Sequence, residues 1–182
     1  SLYPTAYVKN EVRWNGKSIF SHVQHVWRNW LLYWRIKKNY KQVITDKIQR
    51  EIIENFDILD DDIEMTLNYL MELGEGLKPL DDKYRVEENI IKGCQSKVWL
   101  KHFYDKEKLT FFGDSNTAIT KGLLSLLIHI FNNRTPKEIL ESKLFFINDT
   151  GLCRFIGTQR SNGLEAMENK FKLIALNSIE NG

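Results

Sequence analysis

Few residues in this chain can carry covalent chemistry. It holds two cysteines, Cys94 and Cys153, and four histidines, His22, His25, His102 and His129. Cys94 lies in the stretch "ENIIKGCQSKVWLK" (88–101), on a polar turn between Gly93 and Gln95, just ahead of a strand-like run. A thiol there can be a staple, a metal ligand, a nucleophile or packed filler. Lys92 and Lys97 favour the thiolate, which is the reactive form. Gly93 lets another backbone approach closely. Free cysteine is also among the most buried residue types, so plain packing stands beside these readings. A base-assisted nucleophile needs a histidine partner, and His102 is eight residues along a strand. His22, His25 and His129 fall in helical patterns with nothing to bring them to Cys94. No C-x-x-C or zinc-like spacing occurs, which argues against a metal site. Cys153, in "GLCRF", has apolar neighbours and is expected to pack. Sparse cysteine usage fits a reducing compartment.

The elements that would position Cys94 follow from periodicity. Val98, Leu100 and His102 alternate with Trp99, Lys101 and Phe103, which predicts a strand. Residues 105–108 make the hairpin connection, and Leu109 to Phe112 return. "GDSN" (113–116) then offers Asp114 or Ser115 as the cap of a long helix carrying Ile119, Leu123, Leu126, Leu127, Ile130 and Phe131. Gly122 inside that helix costs about 1 kcal/mol relative to Ala, so close packing is expected there. Before the hairpin, a helix capped by Thr45 carries Ile48, Ile52 and Phe56 on one face. Asp60-Asp61-Asp62 interrupts the pattern. A second helix with Ile63, Leu67, Leu70, Met71 and Leu73 stops at Gly74, and 74–85 is loop. After the long helix, "TPKE" (135–138) is a capping box with Pro at the first helical position. Residues 150–159 read as a short helix or loop. Ser161 caps the last helix, which carries Leu164, Met167, Phe171 and Ile174. Helices, a small antiparallel sheet, then helices make the class α+β.

Three stretches, "IIKGCQSKVWL" (90–100), "GDSNTAITKGLLSLLI" (113–128) and "RSNGLEAM" (160–167), occur in this order and together resemble the SufE family of cysteine desulfuration proteins. The resemblance covers about residues 43–177. It implies an α+β fold related to the IscU scaffold proteins. It also implies a sulfur acceptor of the SUF iron–sulfur assembly pathway. The motif cysteine, here Cys94, would take a persulfide from a SufS-type cysteine desulfurase, stimulate it, and pass sulfur to a SufBCD-type scaffold. Pyridoxal phosphate would belong to the desulfurase, and this chain would carry no cofactor or metal of its own. Such an exchange needs one good thiolate and a steric path. A cluster scaffold needs several thiolate ligands. Gly93, Gln95 and Ser96 would shape the cysteine loop. Arg160, opening an "RSNG" turn, would lie near the loop and stabilise a thiolate or persulfide, or else make a surface ion pair. Asp114 is expected to be a helix cap. Asn116 stands where the family often has an acid, so its hold on the loop would differ. The alternatives are a regulatory module that binds a desulfurase without carrying sulfur, and a carrier for another pathway.

The 182 residues are 42% hydrophobic and 27% charged, with a net charge of +2, ordinary for a globular chain. That charge is unevenly spread. Residues 1–42 hold eight basic residues and one acidic, a net of +7, whereas 43–182 net −5. Two segments are therefore expected, a basic Trp-rich extension over 1–42 and the sulfur-acceptor domain over 43–182. Nucleic acid is not indicated. Residues 1–16 read as an irregular lead. Over 18–40, Phe20, Val23, Trp27, Trp30 and Trp34 recur at helical spacing with basic residues on other faces, predicting a basic amphipathic helix. It can pack on the domain, be what is left of an organelle-targeting presequence, lie on a membrane surface, or serve partner docking or self-association. A plastid-type organelle is the expected compartment, with the cytoplasm as alternative. The chain starts with Ser, as a processed product or an artificially trimmed chain would.

Overall fold

The computed structural model describes residues 13–14, 17–18 and 44–180. The chain divides into two units, Ser1–Lys41 and Gln42–Gly182. In the first, β1 (Arg13–Trp14) pairs antiparallel with β2 (Lys17–Ser18). An irregular lead through residue 16 is therefore corrected at its end. The intervening Asn15-Gly16 dipeptide is the sequence signal for such a pairing. The helix expected over 18–40 lies outside the described residues, apart from Ser18.

In the second unit, α1 occupies 44–57. Thr45 is buried inside this helix and is not its cap, because the helix already runs at residue 44. Ile52 and Phe56 enter the core as the spacing predicts. The fully buried Gln49 stitches α1 to a distant segment. Its amide donates to the Lys143 carbonyl (3.0 Å), and its Oε1 accepts from the Phe145 (2.8 Å) and Phe146 (3.3 Å) N–H groups. The Asp60–Asp62 turn separates α1 from α2 (Ile63–Glu75), and Asp62 Oδ1 caps α2 by accepting from Met65 N–H at 2.8 Å.

Gly74 does not stop α2, which continues to Glu75 with Gly76 as its C-cap. Gly74 is instead a crossing point. A Cβ there would meet the Gly122 nitrogen at 2.9 Å, and a Cβ on Gly122 would meet the Leu70 carbonyl oxygen at 1.9 Å. The close packing anticipated at Gly122 is thus the α2–α3 seam. A loop with two 3-10 turns, Asp82–Tyr84 and Glu87–Asn89, leads to the hairpin.

β3 (Val98–Asp105) and β4 (Lys108–Ser115) pair antiparallel, with Val98 opposite Ser115 and Asp105 opposite Lys108. Lys106 and Glu107 both adopt positive φ (47° and 65°), the two-residue turn that suits the strand twist. β4 runs three residues beyond Phe112. Asp114 and Ser115 are therefore strand residues, not caps, since Gly113 and Asp114 complete the register opposite Leu100 and Trp99. α3 (Ala118–Phe131) starts after Thr117 and forms the middle of the core. α4 (Pro136–Glu141) opens with the predicted Thr135–Glu138 capping box. A four-residue helix, α5 (Phe146–Asp149), precedes α6 (Leu152–Glu180). α6 is broken only at Gly157, where φ is 77°. Ser161 is inside α6 and donates back to the Gly157 carbonyl (3.0 Å) instead of capping the helix. Phe171 of α6 joins the layers: its ring lies 4.6 Å from that of Phe111 on β4 and 5.2 Å from that of Phe131 on α3. The fold is α+β, and the hairpin, α3 and α6 together frame the Cys94 loop.

Candidate functional site: the Cys94 loop

The loop is pinched at its base. Ile91 N–H donates to the Val98 carbonyl at 2.8 Å, and Ile90 bridges Trp99. Six residues, 92–97, bulge beyond this pinch with Cys94 near the apex. Gly93 turns the chain at φ 96°, which side-chain-bearing residues rarely adopt, and a Cβ there would press on Ala166 of α6 at 3.2 Å. Ser96 Oγ shares hydrogen bonds with the hydroxyls of Thr117 (2.8 Å) and Thr120 (3.3 Å) at the start of α3. Lys97 is held twice over. Its N–H donates to Asn116 Oδ1 at 2.9 Å, and its carbonyl accepts from Asn116 N–H (3.2 Å) and Ser115 Oγ–H (3.0 Å). Asn116 thus fastens the outgoing limb of the loop.

Cys94 is half-buried, and its Sγ–H points to the Gly163 carbonyl of α6 at 3.4 Å. Burial pushes its thiol above the ordinary value. This reverses the expectation from Lys92 and Lys97. Both are exposed, and the sulfur instead sits against α6, where the neutral S–H is the form that can donate. Gln95 is exposed on the bulge. Arg160 is exposed and helical, its guanidinium donating to the Ile156 carbonyl at 3.3 Å, so "RSNG" is a helical turn of α6 and not a loop. The member of that motif that touches the loop is Gly163.

Neither His102 nor His129 joins the site. His102 is half-buried on β3 with its pKa lowered by burial, then by the charges of Lys101 and Lys170; His129 is exposed on α3. Among the described residues no group of three potential ligands is placed to hold a metal ion. Cys153 is exposed at the start of α6 instead of packed, because its neighbours Leu152 and Ile156 take the inward positions. Both cysteines are free. Beside the loop, a groove of about 660 Å³ is lined by Glu88, Ile90, Ile91, Lys92, Ala166 and Leu173, among others.

Residues 50–175 match the SufE family, described as an Fe-S metabolism associated domain. The chain belongs to the SufE family. Its association is therefore with iron–sulfur metabolism. The fold also recurs in the solution structure of a hypothetical protein from Thermus thermophilus. That protein is 19% identical with a TM-score of 0.60, over 73% of this chain and 96% of that one. At that identity the likeness concerns the fold alone. Sequence reasoning singled out Cys94 and Asn116 but missed the partners Thr117, Thr120 and Gly163. All three lie within the motifs quoted above, yet only the folded chain reveals which of their atoms face the loop. Among the described residues no helix is long and apolar enough to cross a membrane.

Proposed function

We propose that Cys94 accepts sulfane sulfur from the persulfide of a SufS-type cysteine desulfurase and delivers it to a SufBCD-type scaffold. The observation that carries this reading is a SufE-family loop whose apex bears a free thiol, braced on both sides and reachable by lifting a few hydrogen bonds. In the transfer, the Cys94 thiolate attacks the outer sulfur of the donor R–S–SH. The donor's S–S bond breaks, R–S⁻ leaves, and Cys94 becomes Cys94–S–SH with no net change in oxidation level. Pyridoxal phosphate stays with the donor enzyme. At rest the half-buried sulfur is held against α6 and burial raises its pKa, so the desulfurase must draw the loop out, and its active site supplies the environment in which Cys94 ionises. The groove beside the loop, with Leu173 on its α6 wall, is where the donor docks. Arg160, exposed one turn before Gly163, is the cation we assign to the lifted persulfide.

Incubation with a desulfurase and cysteine is expected to add about 32 Da to Cys94, the increment of one sulfur on the persulfide. Cys94→Ser abolishes acceptance, and Cys153→Ser retains it. An adduct confined to Cys153 overturns the assignment. The second reading, a desulfurase-binding regulator that carries no sulfur, gains from the half-buried thiol held against Gly163. Full stimulation of the desulfurase by Cys94→Ser protein would establish it instead. For compartment we propose a plastid-type organelle, and cytoplasmic fluorescence of the tagged protein expressed from its own gene would reverse that.

A further inference from the structure

Asp114 is the only ionisable side chain that is buried among the described residues, and the sulfur chemistry above does not use it. Its carboxylate meets three groups. Oδ2 accepts from Arg85 Nη2 at 2.6 Å, and Oδ1 accepts from Lys121 Nζ at 3.0 Å and from Ser115 N–H at 2.9 Å. Arg85 opens the segment that runs through the 3-10 turn Glu87–Asn89 to Ile90, the incoming limb of the Cys94 loop. Ser115 and Asn116 grip Lys97, the outgoing limb. Lys121 follows Thr120, which holds Ser96 on α3.

We propose that Asp114 is a positioning residue for Cys94. It is the common post to which both limbs of the loop and the helix beneath it are tied, and its negative charge sets how often the loop lifts Cys94 off Gly163. A buried carboxylate between two cations is a strong tether because each contact is charge-assisted and little screened by solvent. Remove the charge and the guanidinium of Arg85 and the ammonium of Lys121 lose the counter-ion they share, which releases the incoming limb from α3. Arg85 also holds Asp82 at 2.7 Å, but that partner is exposed and travels with the limb, so it does not anchor the limb to the core.

This inference rests on the role proposed for the loop but is tested without sulfur transfer. Iodoacetamide labels the full-length chain in native buffer, and the ratio of modified Cys94 to modified Cys153 is read by peptide mass spectrometry. Exposed Cys153 is an internal reference. Asp114→Asn keeps the side-chain volume and the acceptor for Ser115. It is expected to raise the Cys94 to Cys153 ratio on the order of tenfold, as loss of one charge-assisted bond would. Arg85→Met, which cuts only the incoming limb, raises it several-fold by the same rule. Both increases should persist, independent of urea, well below the unfolding transition, because the opening is local. An unchanged ratio in both folded variants overturns the proposal. So does labelling whose urea dependence matches global unfolding, since Asp114 would then be a stabilising residue only. If Asp114→Asn does not fold, Arg85→Met decides, its side chain being 39% exposed. A chain that passes this test but accepts no persulfide would leave the positioning role standing and remove the proposed function.

Discussion

Gly122→Ala tests the framework that carries the loop. By helix propensity alone the substitution should stabilise α3 by about 1 kcal/mol. The seam opposes it. The new Cβ would lie 1.9 Å from the Leu70 carbonyl oxygen and 2.6 Å from its carbon. Neither atom belongs to a side chain that can rotate away. α2 must retreat from α3 by roughly 1 Å, and Leu70, fully buried on the seam, loses part of its packing. Overpacking costs about 1–3 kcal/mol and occasionally more, and a backbone-to-backbone clash belongs at the upper end. The net is a destabilisation of about 2 kcal/mol after the propensity gain. For a chain of this size that lowers Tm by about 4–8 °C. In urea, followed by far-UV circular dichroism, the midpoint should fall with an unchanged slope. Gly76→Ala is the control: its φ is negative and the nearest atom to an added Cβ is 3.6 Å away, so it should be near neutral. A Gly122→Ala midpoint equal to or above that of the parent would show that the helices do not meet as described.

Three further outcomes are expected. Ser96→Ala removes the loop's hydroxyl contacts to Thr117 and Thr120, a net loss of about 1 kcal/mol, so Cys94 alkylation should accelerate about fivefold; an unchanged rate would mean that this latch does not hold the loop. Asp114 titrates below its ordinary value: burial works to raise it, but the hydrogen bonds from Lys121 and the Ser115 N–H, with the Lys121 and Arg85 charges, more than offset that. A lowered folded pKa stabilises the fold at pH above the unfolded value of about 4, and that stabilisation is lost as pH falls through the folded value. The stability gap between the parent and Asp114→Asn, measured by urea denaturation across pH, should therefore be widest near neutrality and close in acid. A gap independent of pH would refute the tether's charge. Leu173→Asp places a charge on the half-exposed wall of the groove and should weaken desulfurase stimulation while leaving Cys94 alkylation unchanged; undiminished stimulation would move the docking surface elsewhere.

The parts of the fold legible in sequence are those where one local pattern decides. The β3 alternation, the Thr135 capping box and the apolar face of α3 are of this kind. Where two local meanings compete, tertiary context chose. Gly74 can end a helix or let another helix approach, and Gly122 across the seam made it the latter. Asp114 after Gly113 can cap a helix or extend a strand, and pairing with Trp99 decided for the strand. Ser161 sits where a cap is expected, yet Gly157 supplies the break earlier. At the site, the identity and exposed turn of Cys94 were legible. The direction of its pKa shift was not, since neighbouring lysines in sequence say nothing of where their ammonium groups point. The tethers of the loop come from residues 18 to 69 positions away, a separation at which periodicity carries no information.

A half-buried thiol is a peculiar resting state for the proposed sulfur acceptor until the energies are set side by side. The loop is held by the Sγ–H contact to Gly163, the Ser96 hydroxyl contacts and the Lys97 clasp. Each neutral hydrogen bond contributes about 0.5–1.5 kcal/mol net, and lifting the apex breaks the first two sets against limbs that the proposed Asp114 post restrains. An opening free energy of about 2–3 kcal/mol leaves roughly 1–3% of molecules with Cys94 lifted. In most molecules the sulfur therefore stays against α6. The opening free energy is also small enough that a partner binding the lifted loop about a thousandfold more tightly than the closed one reverses the equilibrium. Under the proposed function, selectivity for a donor then needs no catalytic base on this chain. It comes from which surface can supply those few kcal/mol, and the Asp114 post sets how many are required.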